Sequence, residues 1–247
     1  MPAPAPYRLI ADELRTAILT GRLKPGDRVP GENTLMEQHG VAKETARRAL
    51  ATLAAEGLIE TRRGSGTFVK AFRPIRRRGT KRLAQSQWGE GRSIWEADLD
   101  DRPMTTDRLE VGEVDCPPHV APLLGLEPGA RVVMRNRRYL VDGEPVMLAV
   151  SYLPAALAGG TRIAEADTGP GGVYARLAEV GAGPVWFREE VRVRMPLPEE
   201  AEALRLGPGS PVALIVRHAY AEGGRPVEVN EMTLDASRYL LEWEFPA

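Results

Sequence analysis

The sequence predicts an α+β protein, with a helical N-terminal part and a C-terminal part folded around an antiparallel sheet. Apolar residues recur at helical spacing through roughly the first sixty residues, and short strands separated by turns follow from Asp107 onward. The charge is divided in the same way. Residues 1–82 hold 17 Lys and Arg against 8 Asp and Glu, whereas the remainder holds 16 against 26. This asymmetry indicates an N-terminal module that faces nucleic acid.

The composition limits the class of protein. The chain has 247 residues, enough for two ordinary domains, and 43% of them are hydrophobic. Its apolar runs are shorter than the roughly 18 residues of a membrane span, and its first residues do not resemble a signal peptide. The single cysteine, Cys116, has no partner for an internal disulfide. We therefore expect a cytoplasmic protein without a membrane partner.

Three short helices are predicted in the N-terminal part. Residues 7–20 place Leu9, Ile10, Leu14, Ala17 and Ile18 on one face, and Gly21 ends that helix. A second helix covers about 32–39, and a third covers 41–53. Only a short turn at Gly40-Val41 separates the second from the third, which is the spacing of a helix-turn-helix.

A hairpin follows the helices. Residues 59–61 and 67–69 predict two strands joined by Arg62-Arg63-Gly64-Ser65-Gly66. Three helices and a glycine-tipped hairpin predict a winged helix-turn-helix. Glycines let the backbone approach a groove, and the arginines supply charge for phosphates or the minor groove. A surface hairpin with incidental arginines is the alternative.

The third helix carries cations near its start, which suits a helix that enters the major groove. An amphipathic surface helix with a solvated basic face is the alternative, and the turn before it and the hairpin after it favour the DNA-binding interpretation. The whole pattern resembles the GntR family of bacterial transcription regulators. The residues that carry this resemblance are Tyr7, Ile10, Ala11, Leu14, Arg15, Ile18, Gly21, Leu23, Pro25, Gly26, Asp27, Pro30, Gly40, Val41, Ala49, Leu50, Leu53, Glu56, Gly57, Leu58, Gly64, Gly66, Thr67, Phe68 and Val69.

The resemblance implies a DNA-binding surface and shows where this chain departs from the family. Where members usually read Ser-Arg at the head of the recognition helix, this chain has Ala42-Lys43; Ala42 lacks a capping hydroxyl, and Lys43 lacks the guanidinium fork. The operator sequence is therefore open. The expected DNA-binding residues are Asn33, Lys43, Thr45, Arg47, Arg48, Arg62, Arg63, Gly64 and Gly66.

The domain organisation follows from these patterns. Residues 1–70 form the DNA-binding domain, and residues 93–247 form a second domain. Residues 71–92 are rich in Arg, Gly and Gln with little periodicity, so we interpret them as a basic, flexible linker. A supplementary phosphate-binding segment is the alternative for the run Arg76-Arg77-Arg78.

The second domain is predicted as an antiparallel sheet with short helices. Residues 132–153 form a hairpin around Asp142-Gly143, and residues 212–234 form another around Gly223-Gly224. Helices are expected at 118–124, 173–180 and 198–204. No glycine-rich phosphate loop, zinc-ligand spacing or nucleophile elbow is present, and His39, His119 and His218 are isolated. The sequence thus nominates no catalytic residue, metal site or cofactor.

This half resembles the UTRA domain of the HutC subfamily. The carriers are Arg137, the segments 142–146, 151–154 and 169–177, and the segment 226–239. The resemblance implies a fold like that of chorismate lyase, dimerisation through this domain, and a small effector that changes DNA affinity. Members that bind amino-sugar phosphates typically have an arginine, an acid and a serine where this chain has Tyr139, Ala149 and Gly172. The resemblance therefore argues against a hexosamine phosphate.

An effector site is expected near the glycine stretch at 169–172, because exposed N–H groups at a helix start favour an anion. Arg135 and Arg137 alternate along one strand and so share a face. A plain loop and a solvated sheet face are the alternatives. The expected effector-binding residues are Arg135, Arg137, Tyr139, Gly171, Gly172, Tyr174, Glu231 and Tyr239.

The function that these patterns predict is a dimeric, effector-responsive transcription regulator, more in keeping with a repressor than an activator. Its partners would be a pseudo-palindromic double-stranded DNA operator, a second copy of the chain, and an unidentified effector for which the glycine stretch favours an anion. A constitutive repressor whose second domain only dimerises is one alternative. A lyase-like enzyme is the other, although no acid, base or nucleophile pair supports it.

Overall fold

The computed structural model describes residues 5–62, 64–70, 74–79, 81–99, 102–207 and 209–245, and it divides into two compact units. The N-terminal unit comprises Met1–Arg73 with Leu206–Ser210, and the C-terminal unit comprises Pro74–Arg205 with Pro211–Ala247. Each unit has hydrophobic core residues of its own. They are described separately below.

The N-terminal unit is a winged helix-turn-helix, as predicted. Its elements are the helices α1 (Pro6–Leu19), α2 (Glu32–His39) and α3 (Lys43–Ala55), and an antiparallel hairpin of β1 (Ile59–Arg62) and β2 (Gly66–Val69). The apolar stripes of α1 and α3 meet in a core that contains Ile10, Leu14 and Leu53. Gly40 ends α2 at φ +63°, a conformation that favours glycine and keeps the turn to α3 short.

The C-terminal unit is organised around a six-stranded antiparallel sheet, which confirms the predicted fold class. The strands are β4 (Met104–Asp115), β5 (Arg131–Val141), β6 (Glu144–Pro154), β7 (Trp186–Arg194), β8 (Val212–Tyr220) and β9 (Pro226–Asp235), in the order β4-β5-β6-β9-β8-β7. Four helices connect or follow these strands, α5 (Ala121–Leu124), α6 (Ala155–Ala158), α7 (Gly172–Glu179) and α8 (Pro198–Ala203). Over the described ranges, no helix is both long and apolar enough to cross a membrane.

The two faces of this sheet differ. Side chains alternate between the faces along every strand. One face, the cavity face, carries the buried residues Val133, Tyr139, Ala149, Ile215 and Met232 and packs against α7 and the segment after residue 80. On the opposite face, the open face, α5 packs against one end of the sheet.

Most of the stretch interpreted as a linker is ordered, and that interpretation is wrong for its described residues. β3 (Ile75–Arg78) pairs in parallel with β10 (Tyr239–Glu242), and a helical turn at Lys81–Leu83 and helix α4 (Gln85–Trp88) follow. Arg77, Arg82 and Trp88 are buried. Composition misleads here because each buried arginine is neutralised by a carboxylate that lies elsewhere in the chain. Residues 71–73 and 80 lie outside the described residues.

Candidate nucleic-acid interface and ligand cavity

Two exposed cations lie near the start of α3. The Lys43 and Arg47 side chains are 69% and 65% exposed. Lys43 Nζ lies 3.7 Å from Glu32 Oε2, and Arg47 Nη2 donates a hydrogen bond of 2.9 Å to Glu44 Oε1. Exposed ion pairs of this kind contribute little to stability, so a phosphate or a base edge can replace the carboxylate.

A shallow cleft lies at the first turn of α2. Arg28, Asn33 and Lys43 line it, so the structure brings two predicted DNA contacts together and adds Arg28, which the sequence analysis missed. No side chain caps α2, whose N-cap residue is Gly31. Uncapped N–H groups and two cations form a suitable place for a DNA phosphate.

Arg48 does not lie with Lys43 and Arg47. Its guanidinium carbon is 4.1 Å from the centroid of the Tyr7 ring on α1, a cation–π contact within the helical core unit. Residue 48 projects about 100° around the helix from residue 47. The contact with Tyr7 gives Arg48 a packing role, and its contact with DNA stays a prediction. Thr45 is half-buried at the head of the same helix.

The hairpin presents a partly neutralised wing. Arg62 Nε and Nη2 donate to Glu60 Oε1 at 3.0 and 2.8 Å, and its guanidinium lies 4.8 Å from the Phe68 ring centroid. Gly64 and Gly66 have φ of +76° and +114°, so both need glycine. Arg63, also predicted to bind DNA, lies outside the described residues.

The C-terminal unit contains a cavity of about 400 Å³ on the cavity face of its sheet. Its walls are β5, β8, the segment at Gly91–Trp95, and the loop that leads into α7. Six of the predicted effector-binding residues line it together: Arg135, Arg137, Tyr139, Gly171, Gly172 and Tyr174. Gly171 must be glycine, because its φ is +76° and a Cβ there would lie 2.4 Å from the Trp88 carbonyl oxygen.

Arg135 was predicted to bind the effector, but its guanidinium is occupied by backbone carbonyl oxygens. It donates to the carbonyl oxygens of Ile163 at 2.6 Å, of Ala166 at 3.0 Å, and of Glu165. These bonds hold the loop before α7. Burial, together with the charge of Arg137, lowers the pKa of Arg135 to about 10, which still leaves it protonated at neutral pH.

Two other arginines line the cavity and have guanidinium nitrogens without a hydrogen-bond partner among the described residues. Arg137 is 8% exposed and donates through Nη2 to Ser151 Oγ at 2.5 Å, while its Nε has no partner among the described residues. Arg217, on β8, is 1% exposed; its Nε and Nη1 likewise have none, and its Nη2 is 3.7 Å from Glu228 Oε2. Tyr174 Oη donates to the same Glu228 oxygen at 2.6 Å. Buried guanidinium nitrogens without partners indicate a place for an anionic acceptor.

An indole lies at the centre of these cations. The guanidinium carbons of Arg82, Arg217 and Arg137 lie 4.9, 5.3 and 5.8 Å from the Trp95 ring centroid. Burial, reinforced by the charge of Arg77, lowers the pKa of Arg82 to about 10. Neither Trp95 nor Arg217 nor Glu228 was predicted. Arg217 was detectable, since it alternates with Ala213, Ile215 and Ala219 on a strand face that is otherwise apolar.

The remaining two predicted effector contacts lie outside this cavity. Glu231 is on the open face, where its Oε1 is 3.0 Å from His119 Nε2. The side-chain period of a strand explains the error, because residue 231 points away from the face that Glu228 shares with Asn230. Tyr239 lies on β10, behind the cavity wall, where it packs against the core cluster that contains Ile75, Leu99 and the cavity-lining Tyr139, and burial raises the pKa of its phenol.

The comparisons with known proteins agree with this arrangement. Residues 6–69 match the model of the gntR family of bacterial regulatory proteins, and residues 101–240 match the UTRA domain. An uncharacterized HTH-type transcriptional regulator of Streptomyces coelicolor is 31% identical over 99% of this chain and 94% of its own. The HTH-type transcriptional repressor NagR of Bacillus subtilis is 27% identical over 96% and 93%.

Solved structures show the same fold. A GntR-family transcriptional regulator aligns with a TM-score of 0.66 and 30% identity over 98% of both chains. PhnF of Mycobacterium smegmatis aligns with a TM-score of 0.57 and 24% identity over 96% of this chain and 99% of its own.

A winged helix-turn-helix joined to a sheet domain with a ligand-sized cavity defines a DNA-binding transcription regulator with a ligand-binding domain, and not an enzyme. The chain belongs to the GntR family of bacterial regulators, with a UTRA domain as its C-terminal unit.

Proposed function

We propose that this protein is a cytoplasmic transcriptional repressor that binds a pseudo-palindromic operator as a homodimer. A small anionic effector, bound in the C-terminal cavity, lowers its affinity for the operator. The effector must prefer a protein state in which the two DNA-binding units do not fit the operator, and linkage then makes operator and effector oppose each other.

The observation that carries the effector proposal is the buried charge around the cavity. Arg77 and Arg82 are paired with Glu189 and Asp98, and Arg217 is near Glu228. Among the residues that the structure describes, the buried Arg135 and Arg137 donate only to carbonyl and hydroxyl oxygens. Two buried cations without carboxylate partners are costly, and an anion beside the partnerless nitrogens of Arg137 and Arg217 offsets this cost.

The start of α7 supports the same ligand class. Gly169, Gly171 and Gly172 all have positive φ, and they lead into a helix whose N-terminus lines the cavity. The N–H groups of these three glycines already donate to Asp167 Oδ1 and to the carbonyl oxygens of Gly91 and Gly169, so the support for negative charge here comes from the dipole of α7. The absence of an arginine at Tyr139 and of a serine at Gly172 keeps our expectation that the anion is not a hexosamine phosphate.

Repression, rather than activation, is favoured by two relatives. NagR is named a transcriptional repressor, and the C-terminal domain of a histidine utilization repressor from Pseudomonas syringae shares the fold at a TM-score of 0.52 over 59% of this chain and 100% of its own. The segment at 91–95, which forms a cavity wall, lies within the C-terminal unit, whose first segment begins at Pro74 directly after the N-terminal unit.

The test begins with selection of bound DNA fragments by the purified protein, which yields the operator. Operator affinity is then measured with inorganic phosphate, glycerol 3-phosphate, succinate and citrate as probes. We expect at least one probe to weaken binding 10-fold or more, and Arg217→Met to abolish that response. Operator binding that no probe alters, together with no thermal stabilisation by any of them, would favour a constitutive repressor instead.

A further inference from the structure

The residues before α2 pair with the wing. Arg28 is opposite Phe68 of β2, and the Val29 N–H donates to the Thr67 carbonyl oxygen at 2.8 Å. Residues opposite each other in a sheet, and alternate residues of one strand, point to the same face. The Arg28 side chain therefore shares a face of the wing with Phe68 and Gly66, although the sequence places it before α2.

The guanidinium of Arg28 lies against the backbone of Gly66. A Cβ at residue 66 would be 3.0 Å from Arg28 Nε and 3.2 Å from its Nη2, so a side chain there would displace the guanidinium. Gly64 is different, because nothing lies within 4 Å of the position of its Cβ. Both residues need glycine for their positive φ, but Gly66, unlike Gly64, also leaves room for Arg28.

The charge of Arg28 is unpaired within the part of the chain that the structure describes. Its side chain is exposed and forms no ion pair or hydrogen bond with a described residue. Lys43, Arg47 and Arg62 instead lie beside glutamates, which a DNA phosphate would have to displace. Arg28 can bind a phosphate without displacing a carboxylate, so its full charge is available for DNA.

Arg28 also lies between the two parts of this unit that approach DNA. On one side it lines the cleft at the first turn of α2 with Lys43, the first residue of α3, and on the other it contacts Gly66 of the wing. A recognition helix occupies the major groove, and a wing lies at the adjacent minor groove. One phosphate strand separates these two grooves, and a cation between the helix and the wing faces that strand.

We propose that Arg28 binds the phosphate strand between the two grooves, and that Gly66 is required partly because it makes room for the Arg28 guanidinium. This inference rests on the operator binding of the proposed function and assigns a contact within it. The contact is to a phosphate because Arg28 projects beside Phe68, behind the hairpin tip at Gly64-Ser65. A side chain set back from the tip meets the rim of the groove, where the phosphates lie.

The test is Arg28→Ala in the full chain, with operator affinity measured by fluorescence anisotropy at four salt concentrations. We expect affinity at low salt to fall about 5–10-fold, and the slope of log affinity against log salt to decrease by about 1. Arg28→Lys should stay within about 3-fold of the wild type, because a phosphate accepts either cation. Circular dichroism and the melting temperature check the fold.

Arg22→Ala is the matched control, since Arg22 is an exposed arginine of the same unit and is not among the described residues that line the cleft. It removes the same charge, and we expect affinity to change less than about 2-fold. An Arg28→Ala variant with the affinity and salt slope of the wild type, or of this control, would overturn the contact. An Arg28→Lys variant as weak as Arg28→Ala, with a changed preference among operator sequences, would overturn the phosphate assignment in favour of a base contact.

The role of Gly66 has a separate test against Gly64. Gly66→Ala and Gly64→Ala are each introduced into the wild type and into Arg28→Ala. We expect the loss of operator affinity from Gly66→Ala to be at least about 3-fold smaller in the Arg28→Ala background, and the loss from Gly64→Ala to be equal in both. Equal losses from Gly66→Ala would overturn its role in placing Arg28. A wild-type protein that selects no DNA would instead overturn the operator binding of the proposed function, so the two failures are distinguishable.

Discussion

The two units of this protein use arginine and lysine in opposite ways. In the N-terminal unit Lys43, Arg47 and Arg62 are exposed, and each is paired with an exposed or half-exposed glutamate close by. In the C-terminal unit Arg77 and Arg217 are each 1% exposed and held among carboxylates and aromatic rings. The first set can exchange partners at small cost, whereas the second set cannot.

This difference separates DNA recognition by the N-terminal unit from the buried charges that support the C-terminal unit. Exposed pairs are worth about 0–1 kcal/mol each, so DNA phosphates displace their carboxylates readily. A buried pair is strongly destabilising when only one partner is removed, because a charge is left behind in the interior. The same substitution of arginine should therefore affect DNA affinity in one unit and folding in the other.

The largest effect is expected for Arg77→Leu. Arg77 Nη1 donates to Glu189 Oε2 at 2.7 Å, and Nη2 donates to the other carboxylate oxygen. Loss of the arginine leaves the buried Glu189 carboxylate without its partner, and we expect the free energy of unfolding to fall by about 3–5 kcal/mol. Denaturation followed by tryptophan fluorescence reports on this unit, since Trp88, Trp95, Trp186 and Trp243 all lie in it.

The double variant Arg77→Leu with Glu189→Leu provides the control. It removes both charges and should recover most of the lost stability. A single Arg77→Leu variant as stable as the wild type would mean that the ion pair does not hold β3 against the sheet.

The next largest effect, on operator affinity, is expected on α3, where the adjacent Arg47 and Arg48 can be compared. Arg47→Ala should weaken operator binding on the order of 10-fold or more, and it should leave the melting temperature nearly unchanged. Arg48→Ala should change operator affinity less than 3-fold, because that guanidinium lies over Tyr7. Fluorescence anisotropy with a labelled operator measures both. Equal losses for the two variants would contradict the assignment of Arg48 to packing.

A smaller effect, on the melting temperature, is expected when the pH is lowered. Burial raises the pKa of Glu189. The hydrogen bonds from Arg77 and the charges of the nearby arginines lower it by more than burial raises it, so the pKa lies below the ordinary value of 4.5. The stabilisation from the ionised carboxylate is then complete above about pH 4.5 and is lost as the pH falls through the lower, folded-state pKa. Melting temperatures between pH 7 and pH 3 should fall less steeply for Glu189→Gln. A parallel fall would show that other groups control acid unfolding.

The smallest effect is expected on the wing. Glu60 holds two guanidinium nitrogens of Arg62, so Glu60→Gln frees this cation for phosphates. Operator affinity at low salt should rise about 2–5-fold, and the slope of log affinity against log salt should steepen by up to about 1. Titrations at four salt concentrations measure the slope. An unchanged slope would show that Arg62 does not reach the DNA backbone.

The N-terminal unit was predictable because its signals are local. The apolar spacing of α1 and α3, Gly40 at the turn and the wing glycines all act within a few residues of the structure that they specify. The sequence does not show which neighbouring element each side chain of a helix contacts. Arg47 and Arg48 are adjacent in sequence, and only the position of Tyr7 on α1 distinguishes their environments.

The C-terminal unit was predictable in its hairpins but not in its long-range pairings. Asp142 and Gly143 have the positive φ values that a tight hairpin turn requires, as their sequence indicates. The strand at Ile75–Arg78 is different, since its three arginines indicate solvent and its partner strand is remote in sequence. The cavity shows the same limit. Arg135 and Arg137 share a face, but the carbonyl oxygens that occupy Arg135 come from a separate loop.

The parallel pairing of β3 with β10 has a consequence for synthesis of the chain. β3 leaves the ribosome soon after the DNA-binding unit, while β10 is made long afterwards, once the whole six-stranded sheet has been translated. The winged helix-turn-helix has its own core and can form early. A nascent or truncated chain therefore acquires the part proposed to contact DNA before it acquires the complete unit proposed to bind the effector.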